Sequence, residues 1–244
     1  MAAPHAAFAG FPEEGLAFLR ALKKNNKRGW FQPRKAIFEE HVKAPMVALV
    51  EAVNGELAKF ASDYIVEPSK AIYRIYRDTR FSNNKTPYKT HIAASFWRHG
   101  MVKHAGAGFY FSVAPDEIEV AGGVYMPGPE ELLALRTHIA KNADRFRRLV
   151  KAGGLVSVMG ELQGESLSRV PKGFAADHPA ADLIRMKQWL YYITDLDPAL
   201  AKSRKIATEI VLRFRVMEPV VSFLNESLKA RKRDVLSSEI ALRR

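Results

Sequence analysis

The stretch Phe109-Tyr110-Phe111-Ser112-Val113, followed by Ala114-Pro115-Asp116-Glu117 and then Ile118-Glu119-Val120-Ala121-Gly122-Gly123-Val124-Tyr125, decides the fold class. Two β-branched and aromatic runs flank a short cluster of turn formers, the pattern of a β-hairpin. Strands joined by so short a connection run antiparallel, because a parallel pair needs a crossover of about a dozen residues or more. Gly122-Gly123 inside the second run points to a bulge or to a close approach of another backbone.

Upstream of the hairpin, His91 to Arg98 reads as a strand, Ser82 to Pro87 as a loop of turn formers, and Ile72 to Arg77 as a further strand. The period of two would send Arg74, Asp78 and Arg80 to one face of that strand and Arg77 to the other. Nearer the N-terminus, Pro12-Glu13-Glu14 starts a helix carrying Leu16, Leu19 and Leu22, which Asn25-Asn26 stops. Pro33 opens a second helix whose stripe runs Val42, Met46, Leu49, Val50, Val53, Leu57 and Phe60, with Pro45 kinking or dividing it. Downstream, Pro129 to Ala140 and Ala143 to Val150 read as helices, and Gly153 to His178 as an irregular stretch with a short edge strand at Leu167 to Val170. Pro179 then opens a helix reaching about Gln188, and Trp189 to Thr194 is a strand. Asp197-Pro198 caps a helix carrying Leu200, Ile206, Ile210, Phe214 and Met217, after which Pro219 opens a further turn. Helices first, strands in the middle and helices again imply an α+β fold with a mainly antiparallel central sheet flanked by N-terminal and C-terminal helices.

The chain has 244 residues, 48% of them hydrophobic, with no linker-like segment and no internal repeat. We therefore expect a single domain over residues 1–244, compact from about 11 to 228, with a polar basic tail at 229–244. There is no cysteine, which excludes disulfides, zinc-thiolate sites, iron–sulfur clusters and thiol nucleophiles. Met1 to Gly10 lacks the basic and apolar regions of a signal peptide, and no apolar run is long enough to span a membrane, so a cytoplasmic location without a membrane partner is expected.

The net charge is +12, and it is unevenly spread. Between Pro68 and Pro115 stand Lys70, Arg74, Arg77, Arg80, Lys85, Lys89, Arg98 and Lys103, against the single acid Asp78. Tyr73, Tyr76, Phe81, Tyr88, Phe96 and Trp97 are interleaved with them. Like charges at this density repel unless water or an anion separates them. Arg74, Arg77, Arg80, Lys85 and Lys89 supply forked or point-charge donors, Ser82, Thr86 and Tyr88 neutral ones, and His91 a further donor. This set is the candidate site for a phosphate- or carboxylate-bearing small ligand. If the site is catalytic, Asp78 or His91 is the proton-transfer group.

Two other readings use the same residues. In the first, the aromatic-rich basic segment, with Lys202, Arg204, Lys205, Arg213 and Arg215, binds nucleic acid, although no helix-turn-helix, zinc-finger or RNA-recognition signature is visible. In the second, the protein is structural and Asp78 pins Arg74 or Arg80 as an internal counter-ion. His91, His99 and His104 lack metal-site spacing and neighbouring carboxylates, so no metal is expected. Nor is any cofactor, since no phosphate loop, dinucleotide fingerprint or nucleophile elbow occurs. Nothing in the sequence speaks to oligomeric state.

Several pieces together are familiar. They are Asn25-Asn26 with Trp30-Phe31, Tyr73-Arg74-x-x-Arg77-Asp78-x-Arg80-Phe81-Ser82, and Lys85-Thr86-Pro87-Tyr88-Lys89-Thr90-His91. Gly122-Gly123-x-Tyr125-x-Pro127, Leu132 to Arg136, Pro171-x-Gly173 and His178-Pro179 also fit. On these the chain resembles, from about Phe11 to Leu228, the bacterial family catalogued as domain of unknown function 2461. The resemblance implies one compact cytosolic domain and no particular activity. An Asp commonly stands in that family where this chain has Asn84, so the carboxylate that metal binding or acid catalysis just before Lys85 would need is missing here.

Overall fold

A computed structural model describes residues 8–80, 82–101, 103 and 106–241, with side chains through 228. Helix α1, Glu13–Lys24, has acids in its first turn and lysines in its last, which complements the helix dipole, and it buries Leu16, Phe18, Leu19 and Leu22. Asn25 ends it, and the Asn25 side-chain amide donates to the Ala21 carbonyl at 2.9 Å. The helical path from Pro33, which Pro45 was expected to kink or divide, is broken upstream of that proline. Turns at Arg28–Phe31, Gln32–Arg34 and Lys35–Phe38 lead into a π-helical turn at Glu39–Lys43 and then α2, Ala44–Leu57. Pro45 explains the break, since it has no N–H to offer the His41 carbonyl one turn earlier. α1 approaches that carbonyl through Gly15, where a Cβ would sit 2.0 Å from the His41 oxygen.

The sheet is a four-stranded antiparallel meander in the order β1 (Ile92–Trp97), β2 (Gly108–Val113), β3 (Ile118–Val124) and β4 (Trp189–Ile193), and the fold is α+β. Along β2 and β3, Phe109, Phe111, Val113, Ile118, Val120 and Val124 are buried, while Tyr110 and Glu119 on the opposite face are partly exposed. Gly123, at φ +124°, fills the role of close approach, because a Cβ there would lie 2.2 Å from the Trp189 carbonyl oxygen.

Between β3 and β4 come α3 (Pro129–Lys141), α4 (Ala143–Val150) and α5 (Gly153–Met159), the last within the stretch expected to be irregular. Leu167 to Val170 forms no strand. The chain instead makes isolated bridges, Gln163 to Leu190 and Ser166 to Met186. The same pairing limits the helical turn after Pro179 to Ala181–Ile184, because the Arg185 carbonyl and the Lys187 amide bond Leu167 and Glu165. Asp197 caps as expected, its Oδ1 accepting the Ala199 amide at 2.9 Å, but the turn it opens is a short 3-10 segment, Pro198–Lys202. α6 then runs from Lys205 to Ala241 with Pro219 inside it, so neither Pro219 nor the expected tail from 229 interrupts the helix. Buried Ile206, Ile210, Phe214, Met217, Val220, Val221, Phe223, Leu224 and Leu228 offset the one bond Pro219 cannot make.

Backbone proximity divides the chain into two compact units. The first holds Met1–Phe96, Tyr110–Val120 and Ile193–Leu212, with Leu22, Val42, Met46, Leu49 and Val53 fully buried. The second holds Trp97–Phe109, Ala121–Tyr192 and Arg213–Arg244. Its rings stack as Phe109 on Phe214 and Phe146 on Phe223, at 4.7 and 5.0 Å. There the buried Asn225 side chain takes both backbone groups of Ala107, each at 2.9 Å. Among the described residues no helix is long and apolar enough to cross a membrane.

Candidate functional site

The segment Ile72 to Arg77 is extended but forms only isolated bridges, Ile72 to Ala94 and Tyr76 to Tyr88. The reason is a change of register. The Lys89 amide bonds the Ile75 carbonyl and the Tyr73 amide bonds the Ala93 carbonyl, so four steps on one side face two on the other. Thr90 and His91 are the surplus, a bulge that ends regular pairing and redirects side chains. Tyr88 is held from its other side. Its N–H donates to Asn26 Oδ1 and its carbonyl accepts from Asn26 Nδ2, both at 3.0 Å, while its ring stacks on Phe31 at 4.2 Å.

The basic residues divide into two groups. In the loop, Arg77 donates to Thr86 Oγ1 at 2.6 Å and to Ser82 Oγ at 3.5 Å, and the Thr86 hydroxyl and amide both donate to Asn84 Oδ1. Arg80 makes a forked pair with Asp78, at 3.1 and 2.7 Å, which lowers the Asp78 pKa to about 2. Lys85 donates to the Thr79 carbonyl at 2.9 Å. These contacts latch the loop and turn its cations inward on the chain itself. Phe81 and His104 lie outside the described residues, and His99 is exposed.

The second group gathers on the sheet face opposite the hydrophobic one. Lys89 Nζ lies 4.8 Å from the Tyr73 ring centroid, and the Tyr73 and Tyr110 rings meet edge to face at 6.2 Å. Ser95 and Ser112 are buried on this face. The Ser95 Oγ has no hydrogen bond of good geometry among the described residues, though it lies near enough to Tyr73 to moderate that phenol's acidity. Ser112 is cross-strand to Glu119, since the hairpin closes with the Ala114 amide on the Glu117 carbonyl.

Electrostatically this face has two ends. Burial and then the neighbouring Arg74 lower the Lys89 pKa, and burial and then Lys89 lower that of His91. Among the described residues the Lys89 ammonium forms no hydrogen bond or ion pair. At the other end, burial and then Glu117 raise the Glu119 pKa. Burial also pushes Tyr110 up to about 12, with Glu119, Tyr73 and Glu117 adding to the rise. The Ser112 hydroxyl, beside both groups, partly offsets each shift.

Of the residues singled out in the sequence, Arg74, Lys89 and His91 come together; Arg77, Ser82, Lys85 and Thr86 build the loop; Arg80 and Asp78 pair with each other; and Tyr88 is core. Tyr73, Ser95, Tyr110, Ser112 and Glu119 escaped the sequence reading as site residues. Their signal is the period of two, which strips every second residue of β1, β2 and β3 from the core and leaves hydroxyls and an acid on one face. Among the described residues no group of three or more metal-ligating side chains converges.

Neither curated proteins nor solved structures gave a match to this chain. One family model does match, over residues 14–223, a span that includes the Asn26 clamp, the latched loop and the polar sheet face. The chain therefore belongs to the family described as conserved hypothetical protein, domain of unknown function 2461.

Proposed function

We propose that the protein binds a small phosphate- or carboxylate-bearing ligand at Arg74, Lys89 and His91. One observation carries the reading: Lys89 is half-buried beside a second cation, and no acid among the described residues pairs with it. A cation kept in that position costs stability that an anion would return. Arg77, Ser82, Lys85 and Thr86 serve the site indirectly, by fixing the loop that connects Arg74 to Lys89 along the chain. Arg80 is already neutralised by Asp78.

Thermal unfolding in phosphate, sulfate and citrate tests the reading. A ligand at about 100 times its Kd stabilises by about 2.7 kcal/mol, a rise of about 5–10 °C for a chain of this size. The wild type should show a saturable rise with at least one of these anions. Lys89→Met should lose it, and Arg80→Ala should keep it. No rise with any anion, or an equal rise in Lys89→Met, refutes the proposal.

A further inference from the structure

Acidic residues at the far end of this face have no role in holding an anion, and an anion site alone would be better without them. Glu119 is half-buried, feels the like charge of Glu117, and forms no ion pair with any described residue. Lys89 is in the mirror-image position beside Arg74. A direct Lys89–Glu119 pair would relieve both ends, and the two do not make it. Between them lie the Tyr73 and Tyr110 rings in edge contact, with the small residues Ala93 and Ser95 on the intervening strand β1. Ser95 is only 8% exposed, and its Oγ has no hydrogen-bond partner of good geometry among the described residues.

We propose that the site takes a dipolar ligand, with its anionic group at Arg74 and Lys89 and a primary ammonium group at Glu119, Tyr110 and Ser112. This rests on the anion-binding reading and extends it to a substrate class: amino acids and amino-phosphates in which a short chain separates the two charges.

The chemistry of each end fits one half of such a molecule. An ammonium group has three donors, and a carboxylate with neighbouring hydroxyls can accept all three. The face of Tyr110, beside Glu119 and Ser112, attracts a cation through its quadrupole, as that of Tyr73 does the Lys89 ammonium. A ligand anionic at both ends would set its second charge against Glu117 and Glu119, so the face discriminates against dicarboxylates.

The test compares β-alanine, 4-aminobutyrate and 6-aminohexanoate with propionate, butyrate and hexanoate, and with the N-acetylated amino acids, by NMR titration of the wild-type protein. At least one free amino acid should bind tenfold or more tightly than both its counterparts. In Glu119→Gln that advantage should fall to within twofold, through weaker binding of the free amino acid, while the plain carboxylate binds no more weakly than to the wild type. An advantage absent at every chain length, or one that persists in Glu119→Gln, overturns the dipolar reading while leaving the anion site standing. Failure of every carboxylate and of inorganic phosphate to bind removes both readings together. Should Glu119→Gln not fold, the comparison of free with N-acetylated amino acids in the wild type decides, because acetylation removes the positive charge and two of the three N–H donors that the proposal places at that end.

Discussion

Replacing Asn26 with alanine removes both side-chain bonds that hold the Tyr88 backbone, and the size of the effect follows from what Tyr88 has left. The Tyr76–Tyr88 bridge is made by the flanking residues, Arg77 to Pro87 and Lys89 to Ile75, so the N–H and carbonyl of Tyr88 itself point away from that partner. Asn26 accepts the one and donates to the other, at 3.0 Å each, in place of a neighbouring strand. Two such bonds contribute about 1 kcal/mol apiece, and leaving partly buried backbone groups unpaired adds to the loss, so Asn26→Ala should cost about 2–3 kcal/mol. That corresponds to about 4–12 °C in Tm for a domain of this size. Urea unfolding followed by tryptophan fluorescence is the assay, with the slope unchanged if only stability has altered. Asn26→Asp gives a second, sharper result. Its ionised side chain still accepts the Tyr88 N–H but opposes the Tyr88 carbonyl. When protonated it can donate again, so its folded-state pKa is raised above the unfolded value. The restored bond then stabilises fully below the unfolded pKa of about 3.9 and is lost as pH rises through the folded pKa. The deficit of Asn26→Asp against the wild type should therefore shrink on acidification. A loss below about 0.5 kcal/mol for Asn26→Ala, the range of an ordinary surface change, refutes the clamp.

Gly123→Ala should cost roughly 2–4 kcal/mol, from overpacking plus an unfavourable backbone. Its Cβ would meet the Trp189 oxygen at 2.2 Å with φ at +124°. Gly154→Ala, inside α5 with nothing within 4 Å, is the control and should be neutral or stabilising by urea midpoint. The His91 ring should titrate below the ordinary 6.5, because burial and Lys89 both oppose its charge. A depressed folded-state pKa means that this group's contribution is present above the unfolded pKa and is lost as pH falls through the folded one. NMR titration should show the low midpoint, and added phosphate should raise it. A midpoint at or above 6.5 in the free protein contradicts the placement.

The sequence signals that worked are those with a local cause. The β2–β3 hairpin, the start of α1 at Pro12, its stop at Asn25 and the Asp197 cap each depend on residues within a turn of one another. The errors share a different cause. Ile72 to Arg77 has the composition of a strand, but regular pairing is decided by the partner, which carries two surplus residues at Thr90 and His91. Pro219 has the local character of a helix break, but the buried stripe from Ile206 to Leu228 carries the helix through it. The reach of α6 past 228 and the short helix α5 likewise have no decisive local marker.

The basic segment divides in the fold along a line its sequence does not mark, because charge density along a sequence does not distinguish cations that organise a loop from cations that await a partner. Arg80 has Asp78 two residues away, and Arg77 and Lys85 find hydroxyl and carbonyl acceptors within the loop, so three of the eight cations are engaged locally. What marks Lys89 is burial combined with a like-charged neighbour, and burial comes from Tyr73 and the sheet, distant information that composition does not hold. Glu119 is harder still. A single acid alternating with apolar residues in a strand reads as ordinary solvent-facing polarity. Only the fold shows that its face also carries Tyr110, Tyr73, two buried serines and, at the other end, an unneutralised lysine. A sheet face with an unmatched cation at one end and an unmatched acid at the other is unfavourable in the free protein, and a ligand of the opposite polarity relieves both ends at once. Charge removed from either end should therefore stabilise the free protein while weakening its complex, a trade that a merely structural cluster would not make.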